Sequence, residues 1–449
     1  MQRRNFIKMA GLTLAGAGFS QGTPAATGER ILVVGAGIAG LAAARSLQQK
    51  GYDVQVLEAR NRLGGRIWTS SQWTDAPMDL GASWIHGVTG NPIMRLAQTI
   101  RARTAATSYD SALTWNTNGK LLTESQEARL ETLQDKVESI LSRAQDQDPD
   151  QSVRSAVQAG LGWDSLSAAD KRWVNFILNG TLEQEYAGST EKLSTHWFDD
   201  SDEFDGGDVL FLDGYQGIIQ YLAQGIPVAL GEQVTAVQLE SNQVVVQTNN
   251  STWQADRVVI TLPLGVLKAG AVKFTPELPT AKQRAIAALG MGVLNKCYLR
   301  FPKVFWRSDV DWLEYIPEQR GQWVEWVSFA RPTGLPILLG FNAAEQGRSL
   351  ETLTDAQTVA SAMQTLRRMF GNAIPEPTSY QITRWASDPF ALGSYSFNAL
   401  GSTPRMRDQL REPVSNRLYF AGEATHRQHP STVHGAYLSG VRAAQKISA

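Results

Sequence analysis

The sequence predicts an α/β fold, in which a Rossmann-like dinucleotide-binding domain is interleaved with an α+β second domain. Three observations carry the prediction. An apolar run at 31–34, short enough for a buried strand, leads into Gly35, Gly37 and Gly40 and then into a helix-compatible run at 41–47. A second apolar run at 54–57 closes on Glu58. Far along the chain, 418–423 reads as another apolar strand that ends in a glycine and an acid, Gly422 and Glu423. Segments of the first domain thus lie at both ends and in the middle of the chain, with two insertions between them.

Each piece has a physical reason. Gly35 permits a tight turn, Gly37 lets backbone approach a pyrophosphate, and Gly40 lets helix and strand pack closely. Ile38 and Ala39, between these glycines, are further cofactor candidates, and the unpaired N–H groups of the helix N-terminus suit an anion. Glu58, about twenty residues on, suits ribose hydroxyls. Ala59 and Arg60 follow, then Arg62-Leu63-Gly64-Gly65-Arg66. A second glycine pair between arginines suits a larger, flavin-bearing pyrophosphate; the plainer alternative is a glycine hairpin with solvated arginines. The stretch 124–146 carries one apolar stripe at helical period, through Leu130, Leu133, Val137, Ile140 and Leu141. Residues 152–186 also read mainly helical. An acidic, glycine-closed loop spans 199–207 and contains Glu203. Strand-like runs follow at 234–239, 244–248 and 258–262, with a turn at Asn249-Asn250. Helical period returns at 282–289 and 353–370, strand character at 293–301 and 323–329, and a closing helix at 434–447.

Composition bounds the function. A chain of 449 residues suits two domains that share a core. Hydrophobic content of 43% and charged content of 19% are ordinary for a soluble globular protein. A formal net charge of −1 gives no global field that would recruit nucleic acid. The lone Cys297 excludes an internal disulfide framework and a cysteine-rich metal site. The five histidines are scattered and the chain has no cysteine pair to complete a zinc site with them, so no metal is expected. Residues 1–28 stand apart. Arg3, Arg4 and Lys8 precede a weakly apolar, glycine-rich stretch at 9–19, too short to span a bilayer. This resembles a twin-arginine export signal, and a disordered basic leader is the plainer alternative. The expectation is a periplasmic or otherwise extracytoplasmic protein, without stable membrane insertion and no larger than a monomer or weak homodimer.

From Glu58 to Arg66 the chain resembles the flavin-dependent amine oxidases, a family that includes monoamine oxidases, polyamine oxidases and lysine-specific histone demethylases. The resemblance covers nearly all of the chain after residue 28. Gly81-Ala82-Ser83-Trp84-Ile85-His86-Gly87, with Asn91-Pro92-Ile93 after it, closely resembles the polyamine oxidases. The resemblance implies FAD as cofactor. Monoamine oxidases attach it through a cysteine near the segment matched by 385–396; no cysteine occurs there, so the binding is expected to be non-covalent. Further cofactor contacts are implied at Gly81, Ala82, Ser83, Trp84, Val234, Trp385, Gly422, Glu423, Thr432, Val433 and Ala436. The implied domains are 29–88, 205–287 and 403–449 for FAD, and 89–204 and 288–402 for substrate.

Lys296 is the sharpest candidate for chemistry. Strand alternation puts Lys296, Tyr298 and Arg300 on one face and Cys297, Leu299 and Phe301 on the other. From spacing alone a solvated polar face is the better reading. The resemblance reverses it, because Gly292 and Lys296 match a Gly-x-x-x-Lys stretch whose lysine holds a water at flavin N5. His86 is implied to position substrate or handle a proton, and Tyr395 to set one aromatic ring beside the flavin. The family's second ring, a tyrosine, is missing; His429, Pro430 and Thr432 stand at the matching positions, and His429 is a candidate replacement. Glu203, Glu314, Tyr315 and Tyr437 are further substrate candidates. Trp306, Trp312, Tyr315, Trp323 and Trp326 suit either cation–π contacts or, more simply, the packing of a sheet.

The implied reaction is oxidation of a polyamine, spermidine or spermine. Hydride leaves the carbon beside a neutral nitrogen for flavin N5, the iminium hydrolyses to an aminoaldehyde and a smaller amine, and O2 reoxidises the flavin to give hydrogen peroxide. A monoamine oxidase or histone demethylase fits less well. The nearest rival is an L-amino-acid oxidase or related monooxygenase, which needs an arginine at the substrate carboxylate. Arg300 and Arg331 are available, but nothing in the sequence places one over the flavin. A flavin-bound binding or sensing protein without turnover is the alternative from another class.

Overall fold

The parallel sheet grows from runs that are apolar on both faces. Residues 31–34 are 0–2% exposed, which suits a strand buried between two layers. The computed structural model describes residues 28–449, so the leader, apart from residue 28, lies outside the described residues. The sheet runs Leu418–Phe420, Arg257–Ile260, Arg30–Val34, Asp53–Glu58, Val228–Leu230, with every pairing parallel. Alternation sends Ile31 and Val33 into one core and Leu32 and Val34 into the other. Helices Ile38–Gln48, Gln216–Ala223 and Val433–Ile447 pack in the first core. The first and last of these approach closely because Gly440 has no side chain; a Cβ there would overlap the Ala39 carbonyl. The second core is closed by a four-stranded sheet of Thr252–Ala255, Val244–Thr248, Val234–Leu239 and Lys273–Thr275. The strand expected at 258–262 stops at Ile260. Thr261 turns its hydroxyl onto the Val34 carbonyl, and Leu262 and Pro263 pass to a cavity wall.

The second domain is built on a six-stranded sheet. Its order is Ser379–Ile382, Leu294–Arg300, Ile337–Ala343, Glu325–Ser328, Trp312–Tyr315, Ala112–Trp115. One face, with Cys297, Leu299, Trp326 and Leu338, packs with Ala362, Met363, Leu366 and Met369 of helix Asp355–Phe370. The other face carries Tyr298, Trp312, Val327, Leu339 and Phe341 toward Met78 and Leu80 of the first domain. Trp306, Trp312, Trp323 and Trp326 are all buried in these two layers, so the aromatic cluster mainly packs the sheet. Helices Glu124–Gln145, Val153–Leu161 and Ala168–Leu178 form a separate core. Capping boxes at Thr123/Gln126 and Thr354/Gln357 begin the longest and second-longest helices of the domain.

The seam between domains differs from a break at residue 89. Helix Pro92–Thr99 buries Ile93 and Ala97 in the core of the parallel-sheet domain. Thr104–Thr107 then pairs with Asp208–Phe211, which also pairs with Trp84–Ile85. The chain crosses into the second domain only after this small sheet, and the sheet itself holds His86 at the seam.

Candidate active site

A deep cavity lies where the two domains meet, and the glycine turn after Arg30–Val34 walls one end of it. Gly35 takes φ +103°, which glycine tolerates and larger residues do not. A Cβ on Gly40 would overlap the Gly35 carbonyl, so Gly40 packs behind the turn; it is the one expected cofactor residue that does not line the cavity. Gly37 is different. Its φ of −73° is open to any residue, and the nearest atom to an added Cβ is 3.9 Å away. The space beside it is cavity. Helix Ile38–Gln48 starts here with no side-chain cap, although its first turn is buried. Its N–H groups lack intrahelical partners, and this is the cradle an anionic pyrophosphate requires. Gly64 and Gly65, at φ +103° and +61°, bring a second backbone turn alongside, with Gly37 and Gly64 bridged in parallel. Glu58 accepts from Ala36 N at 2.7 Å and from Arg60 N at 2.9 Å, so its carboxylate is fixed at the cavity wall with lone pairs to spare for hydroxyl donors.

The middle of the cavity is walled by Gly81, Ala82, Ser83, Trp84, Val234, Trp385, Tyr395, Gly422, Glu423, Thr432, Val433 and Ala436. Gly422 has φ +128°, and an added Cβ would meet nothing within 4 Å. Thr432 caps helix Val433–Ile447, its hydroxyl accepting from Gly435 N at 2.9 Å. The helix therefore presents its positive end at the cavity. Burial alone would raise the Glu423 carboxyl, but Arg66, Ser396 and Arg407 more than reverse this and hold it below its ordinary value. Arg66 donates to Glu423 Oε1 and to the Ser394 carbonyl, both at 2.9 Å. The two glycine turns, the uncapped helix start and this open middle fit FAD.

Lys296 enters from strand Leu294–Arg300 and is 6% exposed. Its Nζ donates to the carbonyls of Asp79 (2.8 Å) and Gly81 (2.6 Å) and to Ser83 Oγ, and lies 5.7 Å from the Trp84 ring centroid. Burial brings its pKa down to about 7, with Asp79 opposing; burial likewise lifts Asp79 to about 6. The face of the strand that spacing assigned to solvent is thus the buried seam between domains. His86 lines the cavity with its Nδ1 2.9 Å from Asp208 Oδ2. Tyr395 donates its hydroxyl to the Gln184 carbonyl at 2.8 Å, and burial raises its pKa.

The lining also holds residues that the sequence did not single out, Glu185, Glu325, Tyr109, Tyr186, Phe198 and Phe341, and it brings in Asp200, Asp202 and Phe204 of the acidic loop beside the expected Glu203, and Trp312 of the aromatic cluster. Tyr109 stacks on Trp312 at 4.3 Å. Glu185 follows a π-turn, Asn179–Glu183, whose Glu183 is buried and accepts from Asn179, Thr190 and Arg320. Three expected substrate residues lie elsewhere. Glu314 accepts from Thr114 Oγ1 at 2.8 Å and does not line the cavity. Tyr315 is 1% exposed, packs in the sheet core and donates to the Thr117 carbonyl. Tyr437 packs against the core of the first domain. His429 also stands back from the wall. It stacks on Phe204 at 4.9 Å, so Phe204 is the ring that reaches the cavity there. Neither arginine named for the rival reading lines the cavity: Arg300 pairs with Asp75 and Arg331 with Asp311. Among the described residues there is no His, Cys, Asp and Glu grouping that could hold a metal, and no helix long and apolar enough to cross a membrane.

Residues 38–448 match the family of flavin containing amine oxidoreductases. Polyamine oxidase 4 of Oryza sativa subsp. japonica is 34% identical over 432 residues, covering 93% of this chain and 88% of that protein. Protein FLOWERING LOCUS D of Arabidopsis thaliana is 35% identical over 436 residues, and Lysine-specific histone demethylase 1 homolog 2 of the same plant 36% over 437. The chain spans 55% and 58% of those two proteins, a little over half of their length. A double mutant of putrescine oxidase, from a structure-based redesign of its cofactor binding, superposes with a TM-score of 0.74 at 20% identity, over 94% of this chain and 99% of that one. That likeness concerns the fold.

Proposed function

The chain belongs to the flavin containing amine oxidoreductases, and on that premise we propose that it oxidises polyamines such as spermidine and spermine, with O2 as electron acceptor and non-covalent FAD. Bound FAD supplies the redox chemistry by taking up the hydride from the carbon beside nitrogen. The chain's own residues do the rest. The glycine turns and the uncapped helix would hold the cofactor's pyrophosphate, and Glu58 would accept from its ribose hydroxyls. Lys296, held by three protein oxygens, is a polar point in a largely apolar seam, and we assign it the positioning of water beside the cofactor. The lone cysteine, Cys297, is buried in the sheet face away from the cavity, which supports non-covalent binding.

One observation carries the polyamine reading. Beyond the cofactor cradle the lining combines five carboxylates, Glu185, Asp200, Asp202, Glu203 and Glu325, with a run of aromatic rings. The cations in the lining, Arg60, Arg66, Arg407 and Lys296, are all engaged with protein acceptors. This suits an elongated chain with several ammonium groups, attracted by charge and packed against rings. The nitrogen that reacts must be neutral. For an amine that titrates near 10.4, this costs about 3–5 kcal/mol at pH 7–8, which a dry aromatic wall partly offsets.

The test is anaerobic stopped-flow bleaching of the flavin band with spermidine, spermine, a monoamine, L-amino acids and an N-methyl-lysine peptide in parallel. Rapid bleaching by polyamines alone is expected. Bleaching by amino acids alone moves the assignment to an amino-acid oxidase. Bleaching by the peptide alone moves it toward lysine demethylation. The leader bearing Arg3 and Arg4 is proposed to direct export to the periplasm. Replacing both by lysine should then retain the protein in the cytoplasm of an export-competent bacterial host.

A further inference from the structure

We infer that Asp208 is a positioning residue: it fixes the ring tautomer of His86 and thereby the direction from which the amine is held. This rests on the amine-oxidising reading of the same site. The two residues meet because the short antiparallel pair of Trp84–Ile85 with Asp208–Phe211 sets Ile85 opposite Val209. One step further, His86 and Asp208 lie side by side at the domain seam. Asp208 Oδ2 is 2.9 Å from His86 Nδ1, and Asp208 Oδ1 accepts from Gly87 N at 3.0 Å. The backbone of His86 is pinned as well, its carbonyl accepting from Asn91 Nδ2 at 2.9 Å. Asn91 is 1% exposed and caps helix Pro92–Thr99. Ring and backbone are therefore held by separate elements.

An ionised carboxylate only accepts hydrogen bonds, so Nδ1 must carry the proton. The lone pair of the neutral ring is then at Nε2, on the opposite edge. His86 lines the cavity together with Glu203, Trp84 and Tyr109. With Nε2 as an acceptor, the ring can take an N–H of the amine or its proton. With the proton on Nε2, it would set a donor against an ammonium donor. The choice of tautomer thus decides whether His86 attracts the amine or repels it.

The geometry makes Asp208→Asn a reversal of this choice. One side-chain oxygen is committed to Gly87 N. The Asn variant keeps its oxygen there and turns its NH2 to Nδ1, which must then accept. The proton moves to Nε2 while the shape of the site is preserved. The experiment uses the FAD-loaded enzyme, with 15N-labelled histidine for NMR and anaerobic stopped-flow with spermidine for rate. Wild type should show His86 as the Nδ1–H tautomer, and Asp208→Asn as the Nε2–H tautomer. Flavin reduction should slow about 10–100-fold, with unchanged FAD content. In a His86→Ala background, Asp208→Asn should change the rate less than twofold. The inference is overturned if wild type already carries the proton on Nε2, or if Asp208→Asn slows reduction as much without His86 as with it. Should spermidine fail to reduce wild type, the functional reading falls, while the wild-type tautomer still decides the role of Asp208.

Discussion

Gly37 and Gly40 stand three residues apart in the same turn, yet they are glycine for different reasons. A methyl at Gly40 collides with backbone, whereas a methyl at Gly37 meets only the space where cofactor belongs. Gly40→Ala is expected to prevent folding. Gly37→Ala should fold with near-native stability as apoprotein and lose FAD, and a purified variant that keeps its yellow colour would contradict this. Lys296 gives a second test at this scale. Unfolded, its amine holds a proton to about 10.4; folded, burial brings it to about 7. Between those values only the unfolded chain binds the proton, so stability rises with pH. Lys296→Met removes that slope. The difference in unfolding free energy, wild type minus variant, should increase from pH 7 to pH 10 by at most about 1.4 kcal/mol per pH unit, as read from denaturant melts. A flat difference would mean that Lys296 stays charged throughout. At this scale the sequence is most legible where chemistry dictates residue type. Gly35, Gly37, Glu58 and Gly64, chosen because phosphates and ribose leave few options in residue type, all line one cavity. Glu314 and Tyr315, named from a cluster of rings, lie outside the cavity because a cluster in sequence does not say which face of a sheet each side chain takes.

Among the elements, the π-turn Asn179–Glu183 bears directly on the cavity, since Gly180 and Thr181 line it. The turn interrupts the helical run after Leu178, and the chain then places Gln184, Glu185 and Tyr186 on the wall. A fifth residue in the turn exposes backbone polar groups, and such turns persist where something holds them. Here the buried Glu183 is clamped by Arg320, which also pairs with Glu191. Burial would raise the Glu191 carboxyl, but Arg320 brings it down to about 2. Arg320→Ala should cost about 2–3 kcal/mol, below the 3–5 of a fully buried pair, because its side chain is 34% exposed. It should also raise KM for the amine more than it lowers kcat, since Lys296 and the cofactor cradle are untouched. Thermal melts and oxygen-electrode kinetics would check both. Lost stability with unchanged KM would show that the turn does not shape the substrate wall. Periodicity made residues 152–186 helical, and it is silent on one inserted residue. The deciding partner, Arg320, lies well over a hundred positions away, beyond the reach of any local pattern. The closing helix was legible for the opposite reason: its start, Thr432, and its apolar stripe are local.

At the scale of the whole molecule, the cofactor cavity belongs to neither domain alone. Arg60 leaves the end of strand Asp53–Glu58, and its guanidinium forms a two-pronged ion pair with Asp388 of the second domain, at 2.9 and 2.6 Å. Both side chains are largely buried, 14% and 17% exposed, and Arg60 also lies 5.2 Å from the Phe390 ring centroid. Pro389 and Phe390 line the cavity beside Glu58. The pair therefore closes the dinucleotide end by joining the domains across it, and cofactor should leave only when the pair opens. Interleaving made the two-domain plan legible from the spacing of glycine-ended strands, but it could not pair residue 60 with residue 388. Asp388→Asn keeps the shape and removes the charge of this closure. FAD should dissociate about tenfold faster, the equivalent of about 1.4 kcal/mol. Because a ligand stabilises the state that binds it, the melting temperature of the holoenzyme should fall by more than that of the apoprotein, which itself falls because Arg60 loses its partner. Recovery of flavin fluorescence after dilution gives the rate, and melts with and without FAD give the linkage. Equal losses in both forms, with an unchanged dissociation rate, would mean that the pair fastens the domains without governing the cofactor.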